Sequence, residues 1–267
     1  MTEIADSPAK FALPKLTYRV CHVWRRNFDV FMKTIRVNFL PSLIEPILYL
    51  LALGFGLGGF IQPIEGVPYI NFISPALVAI STMYGGFFEC TYASFVRMYF
   101  QKTFDAIIAT PVSVEEVIAG ELLWGATRAA INSTTVLIVI AAFGLIPSSL
   151  AILVPIVSLL GGLLFACLAM CFTAIAPNID FFNYPTFLLV TPMFLLSGTF
   201  FPLSQLPPIV ETIALTLLPL THLVNLTRGL VFGRINAVML LSLVWLVTVT
   251  LVLFLLSINL MKKRLIK

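Results

Sequence analysis

The chain has 267 residues, of which 60% are apolar and only 10% are charged, and its mean hydropathy is +1.04. Soluble globular proteins are roughly 45 to 50% apolar and about 25% charged, so this composition excludes an ordinary water-soluble domain and indicates a lipid environment. The net charge of +4 does not indicate nucleic-acid binding, because the basic residues lie beside apolar segments and form no basic face of a soluble domain.

The first predicted element is a basic amphipathic helix over residues 15–36. At about 100° per residue its apolar side chains share one face, which Asn27 and Thr34 interrupt, and its basic side chains fill the opposite arc. The apolar members are Leu16, Val20, Val23, Trp24, Phe28, Phe31 and Ile35. We expect this helix to lie in the cytoplasmic membrane interface, either as a simple anchor or as a mechanical element. The first 38 residues contain seven Lys or Arg residues and no signal-peptide pattern, so we expect no cleaved signal.

Six segments are long and apolar enough to span a membrane, which takes about 20 residues. They are residues 39–60, 70–95, 121–146, 150–175, 184–202 and 237–261. With the amino terminus in the cytoplasm, thirteen Lys and Arg residues fall on the cytoplasmic side and two fall outside. The positive-inside rule therefore predicts that both termini are cytoplasmic.

Residues 203–236 are too long for a turn, and prolines interrupt them too often for a straight span. Because the segment remains apolar, we interpret it as one or two short outer helices that enter the membrane partway. The predicted fold is thus an all-α integral membrane protein with six spans, an amino-terminal interfacial helix and outer re-entrant helices before the last span.

Three charged residues lie about six or seven residues inside the ends of predicted spans: Glu45, Glu89 and Arg128. All three fall about 9 to 10 Å from the cytoplasmic edge at 1.5 Å per residue. Since an isolated charge in the membrane is costly, we hypothesise that Arg128 is neutralised by Glu45 or Glu89. A structural pairing and a direct substrate contact are both open interpretations.

Glycines suggest close contacts between helices, namely Gly54 with Gly58 in the first span and the Gly161–Gly162 pair in the fourth. Dimerisation and packing within one chain explain these glycines equally well. The cytoplasmic loop at 96–120 contains a helix start, because Ser113 is a capping residue and acidic Glu115 and Glu116 follow it. We expect these two carboxylates to face water, in a loop that a soluble partner could contact.

Catalytic and nucleotide-binding signatures are missing from the sequence, which has no H-E-x-x-H, no G-x-S-x-G and no G-x-x-x-x-G-K-[ST]. The four cysteines also lack the spacing of a zinc or redox site. We therefore expect no metal site and no cofactor in this chain, and any dependence on ATP and Mg²⁺ must come from a partner subunit.

Two stretches of sequence carry a family resemblance. Residues 92–130 contain Tyr-Ala-Ser-Phe-Val-Arg-Met, Gln-Lys-Thr-Phe-Asp-Ala, Thr-Pro-Val-Ser and Gly-Glu-Leu-Leu-Trp-Gly-Ala-Thr-Arg-Ala. Residues 196–228 contain Leu-Ser-Gly-Thr-Phe-Phe-Pro-Leu, then Leu-Pro, Leu-Pro-Leu-Thr-His and Arg228. Together they resemble the membrane permeases of type 2 ABC transporters, and with Ala-Pro-Asn-Ile-Asp at 176–180 they are most similar to nodulation-type lipo-oligosaccharide exporter permeases.

This resemblance implies a permease that forms a homodimer and binds two copies of an ABC ATPase subunit. It implies that residues 106–119 contain a coupling helix, residues 15–36 form a connecting helix, and spans one, two and five border the path between subunits. The implied ATPase contacts are Thr110, Pro111, Val114, Glu115 and Glu116. The implied cargo is amphipathic, for example a lipo-oligosaccharide, a glycolipid, a polysaccharide-like molecule or a drug, which is exported across the bacterial inner membrane.

Two other functions compete with this interpretation. One is a secondary transporter coupled to protons through Glu45, Glu89 or Glu121, although no inverted repeat and no carboxylate at the membrane midplane supports it. The other is an intramembrane enzyme, for which we find no pairing of a nucleophile with a base.

Overall fold

The protein is helical almost throughout, and the predicted all-α class is confirmed. The computed structural model describes residues 14–64 and 66–266, with backbone alone for residues 38–43. No β-strand is present in these ranges, where Ile64 and Val67 form a single isolated bridge. Two of the basic residues counted for orientation, Lys10 and Lys267, lie outside the described residues.

The described residues of the amino-terminal half form five helices. They are α1 (Val20–Lys33), α2 (Ile35–Tyr49), α3 (Tyr69–Phe100), α4 (Thr103–Ile108) and α5 (Val114–Ala142). Helix α2 continues as a π-helical segment over Leu50–Leu57, and α3 contains π-helical turns after Phe88. A break at Thr34, with φ −112° and ψ 14°, separates α1 from α2.

Five more helices follow in the carboxy-terminal half, as far as residue 266, where the described part of the chain ends. They are α6 (Ser149–Ile175), α7 (Ile179–Leu196), α8 (Pro208–Leu217), α9 (Pro219–Phe232) and α10 (Ala237–Leu265). Helices α8 and α9 are bent by 82° relative to each other at their junction. They occupy the segment for which the sequence predicts short helices.

Five helices of the described chain are long and apolar enough to cross a membrane, namely α3, α5, α6, α7 and α10. They coincide with the second to sixth predicted spans. The predicted first span lies on α2 and its π-helical continuation, in which Ile44–Leu57 is the apolar stretch whose side chains the structure describes. By length and composition, the bent pair α8 and α9 is a further candidate to cross the membrane.

Helices α3, α5 and α6 form the centre of the bundle, with α10 against α6 and α1 against α5. Glycines allow the close approach of these three helices: a Cβ added at Gly162 would lie 2.4 Å from Ala129 Cβ, and one at Gly86 would lie 2.6 Å from the Gly162 carbonyl oxygen. Gly162, one of the glycines that suggested either dimerisation or internal packing, therefore packs within the chain.

Candidate functional site

A buried network of charged and polar side chains joins α1, α3 and α5 around Glu121, which is completely buried. Arg97 Nη2 lies 2.6 Å from Glu121 Oε2, and Arg97 Nε donates to the same oxygen at 3.0 Å. Ser94 Oγ also donates to Glu121 Oε2 at 2.7 Å, while Asn27 Nδ2 donates to Oε1 at 2.7 Å. Every part of this carboxylate thus has a partner, as a buried charge requires.

Glu89 extends the network towards the middle of the bundle. Arg97 Nη1 pairs with Glu89 Oε1 at 2.8 Å, and the Trp124 indole N–H donates to the same oxygen at 2.8 Å. One guanidinium therefore bridges two carboxylates with separate nitrogen atoms, the fork geometry that distinguishes Arg from Lys.

Local sequence explains how these side chains meet. Glu89 and Arg97 are eight residues apart on α3, about two helical turns, so they share one face. Asn27 is the residue that interrupts the apolar face of α1, and it is buried against α5. A polar residue on an otherwise apolar face is therefore the sequence signal for this contact, and the pattern of α1 alone does not identify the partner.

The three predicted in-span charges, Glu45, Glu89 and Arg128, line a single cavity of about 550 Å³. The guanidinium of Arg128 lies 4.4 Å from the centre of the Phe31 ring on α1. An ion pair to Glu89 comes from Arg97, a residue that lies in the cytoplasmic loop of the sequence-based prediction.

This cavity, which we call the central cavity, is bounded by α2, α3, α5 and α7. Its walls combine apolar side chains with aromatic rings, hydroxyls and an amide. The remaining lining residues are Pro46, Tyr49, Leu77, Ile80, Ser81, Tyr84, Gly85, Phe88, Asn132, Thr186, Val190 and Thr191. Tyr84 and Phe88 stack on each other with ring centres 5.4 Å apart and an angle of 2° between the planes. Such a cavity accommodates a ligand with both apolar and polar parts.

The five residues predicted to contact an ATPase differ in exposure, and Glu115 is intermediate. Thr110 and Pro111 are exposed, in the turn between α4 and α5, whereas Val114 and Glu116 are buried at the start of α5. The predicted helix start is confirmed as a capping box: the Glu116 N–H donates to Ser113 Oγ at 3.3 Å, and the Ser113 N–H donates to Glu116 Oε2 at 2.8 Å. The predicted coupling region 106–119 is thus the end of α4, a turn and the first residues of α5.

The expectation that Glu115 and Glu116 both face water is wrong. Glu116 is 2% exposed and accepts a hydrogen bond from Thr17, which precedes α1. Glu115 pairs with Lys262 Nζ at 2.6 Å, near the end of α10. The physical reason is that two distant segments of the chain pack over the start of α5, where Thr17 donates a hydrogen bond to Glu116 and Lys262 compensates the charge of Glu115.

Comparison with known proteins gives the family. Residues 18–232 match the ABC-2 type transporter family. Nodulation protein J of Rhizobium meliloti (strain 1021) is 39% identical over 223 residues, which cover 83% of this chain and 84% of that protein. Nodulation protein J of Sinorhizobium fredii (strain NBRC 101917 / NGR234) is 36% identical over 95% of this chain and 97% of that protein.

A more distant relative is the inner membrane transport permease YadH of Escherichia coli (strain K12). It is 26% identical over 187 residues, which cover 70% of this chain and 72% of that protein. These similarities extend over the helices that form the buried network and the central cavity. The chain is therefore an integral membrane protein that belongs to the ABC-2 type transporter family and is a permease subunit of an ABC transporter.

Proposed function

We propose that this permease exports an amphipathic lipid-linked saccharide, such as a lipo-oligosaccharide or a glycolipid, across the bacterial inner membrane. ATP and Mg²⁺ would bind and ATP would be hydrolysed on a separate subunit. The central cavity is the observation that carries this proposal. Its combination of apolar, aromatic and polar groups suits a cargo with an acyl part and a saccharide part.

The cavity offers different surfaces to the two parts of such a cargo. Leu77, Ile80 and Val190 provide apolar contacts for an acyl chain. The stacked pair Tyr84 and Phe88 provides an aromatic face, and the hydroxyls and charged groups provide hydrogen bonds for a saccharide. In the proposed homodimer, this cavity faces the path between the two permease subunits.

Two copies of the ATPase subunit would dock on an exposed surface formed by α4 and by the turn that follows it. We call this turn, residues 109–113, the docking turn. A groove between α1 and α4 adjoins it, lined by His22, Arg26, Thr103, Ala106 and Ile107 among others. Helix α5 begins directly after the docking turn and runs past Glu121 to Arg128 in the central cavity. A displacement of the docking turn on ATP binding would therefore move one wall of the cavity and shift the permease between access states.

Transport in vesicles tests this function. The ATPase subunit that co-purifies with this chain would be reconstituted together with it in proteoliposomes that carry no proton gradient. The measured quantity is the flux of a fluorescent lipo-oligosaccharide. We expect flux that depends on ATP, and a loss of about tenfold or more in Tyr84→Ala with unchanged recovery of the ATPase. The matched control is Tyr184→Ala, an exposed tyrosine that does not line the central cavity.

The outcome also separates the competing functions. Flux driven by a proton gradient in the absence of ATP would overturn the proposal in favour of a secondary transporter. The structure gives one reason to expect otherwise: Glu121, a candidate proton carrier, is completely buried, and both of its carboxylate oxygens are already engaged by Asn27, Ser94 and Arg97.

A further inference from the structure

Next to the central cavity lies a second cavity of about 450 Å³, between α1, α3 and α5. Phe88, Glu89 and Arg128 line both cavities, so the two adjoin at this level of α3. From there the second cavity extends along α3 to Gln101, which directly follows that helix. The distribution of basic residues predicts that this end of α3 is cytoplasmic.

Three aromatic side chains follow one another along the walls of the two cavities. Tyr84, Phe88 and Tyr92 are spaced four residues apart on α3, which places them on one face of the helix. The ring centres of Phe88 and Tyr92 are 5.9 Å apart, so Tyr92 continues the stacked pair of Tyr84 and Phe88. Tyr84 lines the central cavity, Phe88 lines both cavities, and Tyr92 lines the second. We call these three rings the aromatic track.

The rings of the aromatic track leave part of their faces uncovered. The planes of Tyr84 and Phe88 are parallel to within 2°, but their centres are 5.4 Å apart, which exceeds the roughly 3.5 to 4.0 Å of direct carbon contact. The two rings are therefore offset, and each covers only part of the other. Since Phe88 is 37% exposed and lines both cavities, a ligand in either cavity has access to its ring.

Polar groups accompany the aromatic track on the same walls. Glu89, directly after Phe88, has an acceptor carboxylate that Arg97 and the Trp124 indole hold in place. At the far end of the second cavity Gln101 is exposed, and its amide both donates and accepts hydrogen bonds. A π-helical turn of α3 begins at Glu89, and such turns are frequent at functional sites.

We propose that the aromatic track binds the saccharide part of the cargo, with successive sugar rings in the central cavity and in the second cavity. The C–H faces of a pyranose ring are apolar and pack on aromatic rings, whereas its hydroxyls both donate and accept hydrogen bonds. Aromatic rings flanked by carboxylate and amide groups match both properties. An acyl chain would use only the apolar contacts and would leave the polar groups beside the rings without partners.

The spacing of the rings extends the proposal to more than one sugar. Ring centres 5.4 and 5.9 Å apart are comparable to the advance per sugar unit along an extended oligosaccharide. The second cavity then holds the sugar rings on the side predicted to be cytoplasmic, and the central cavity holds those further along an outward path. Assigning the saccharide to an exported cargo rests on the proposed function, whereas binding of a saccharide to the track does not.

Binding of a free oligosaccharide to the full-length chain, without an ATPase, tests the proposal. The protein would be placed in nanodiscs, and saturation-transfer difference NMR would measure the binding of cellotriose, a neutral chain of three sugar rings. Glucose is the match with a single ring, and sorbitol has similar hydroxyls but no ring face. We expect cellotriose to bind at least about fivefold more tightly than glucose, and sorbitol to show no saturation transfer.

The variants separate the effect of the aromatic face from that of side-chain bulk. Phe88→Leu and Tyr92→Leu keep an apolar side chain but remove the aromatic ring, so each should weaken binding of cellotriose by about fivefold. Phe88→Tyr keeps the ring and should bind cellotriose as the unmodified protein does, so a loss with leucine alone is due to the ring. Tyr184→Leu, at an exposed tyrosine that lines neither cavity, is the matched control and should have no effect.

Unchanged binding of cellotriose in both leucine variants, or saturation of sorbitol equal to that of cellotriose, would overturn the saccharide site. So would a loss of binding in Phe88→Tyr as large as that in Phe88→Leu. Because the measurement involves neither an ATPase nor transport, such a result would leave the export proposal standing. Conversely, a failure of ATP-driven flux while cellotriose binds as expected would refute the export proposal alone.

Discussion

Glu121 shows how much a single residue in this bundle depends on its surroundings. Its carboxylate is fully buried and accepts hydrogen bonds from Asn27 on α1 and from Ser94 and Arg97 on α3. Removing one member of a buried ion pair leaves the other charge without full compensation, which is far more costly than losing a surface pair. The contacts of Glu121 therefore tie three helices together at one point.

We accordingly predict that Glu121→Gln lowers the free energy of unfolding by roughly 3 kcal/mol, measured by denaturant titration in detergent micelles. Glu211→Gln, on α8, is the control, since no ion pair of Glu211 occurs among the described residues. Equal free energies of unfolding for the two variants would contradict the prediction and would mean that Glu89 alone compensates the charge of Arg97.

At the scale of elements, the close packing of α3, α5 and α6 depends on residues that have no side chain. Gly162 lies against Ala126 and Ala129 of α5, and its carbonyl oxygen lies beside Gly86 of α3. Membrane helices gain no hydrophobic driving force from associating in lipid, so contact between their backbones is a main source of stability.

Replacing Gly162 by Ala should therefore separate α5 from α6, because the new Cβ would lie 2.4 Å from Ala129 Cβ. We expect a loss of about 1 to 3 kcal/mol in the free energy of unfolding, as in other overpacked interiors. Gly59→Ala is the control, because its Cβ would meet no atom within 4 Å. Equal stability of the two variants would contradict the packing described for α5 and α6.

The docking turn between α4 and α5 gives a second prediction at this scale. Glu116→Lys would place a cation in a buried position and disturb the fold, so it cannot report on partner binding alone. Thr110 is exposed, and we expect Thr110→Arg to reduce recovery of the ATPase subunit by about tenfold in a pull-down while the thermal stability of the permease stays unchanged.

The control for this experiment is Gln205→Arg, an exposed residue on the predicted outer side. It introduces the same charge where the ATPase is not expected to bind. Full recovery of the ATPase with Thr110→Arg would mean that the partner binds elsewhere on the chain.

For the whole molecule, the distribution of basic residues predicts the orientation in the membrane, and native cysteines can test this prediction. Cys21 is exposed on α1, whereas Cys90 and Cys167 are buried. We predict that a membrane-impermeant maleimide labels Cys21 only after the inner membrane of spheroplasts is permeabilised. The variant Gln205→Cys should be labelled without permeabilisation, and labelling of Cys21 in intact spheroplasts would reverse the proposed orientation.

The sequence by itself determined the all-α membrane class, the positions of five long apolar helices and the start of α5 at the Ser113 capping box. These features depend on hydropathy and on contacts within a few residues, so they are local and can be recognised in the sequence. It also indicated that Glu45, Glu89 and Arg128 share one depth, and the three residues line one cavity.

Only the tertiary structure decided which charged groups are partners. The sequence places Arg97 in a cytoplasmic loop and Glu121 at the first residue of the third span, yet the two form the centre of the buried network. Glu116, which was expected to face water, is buried and accepts a hydrogen bond from Thr17. Such pairs lie 24 to 99 residues apart in the chain. Helix rotation and packing bring them together, and neither hydropathy nor spacing along one helix contains that information.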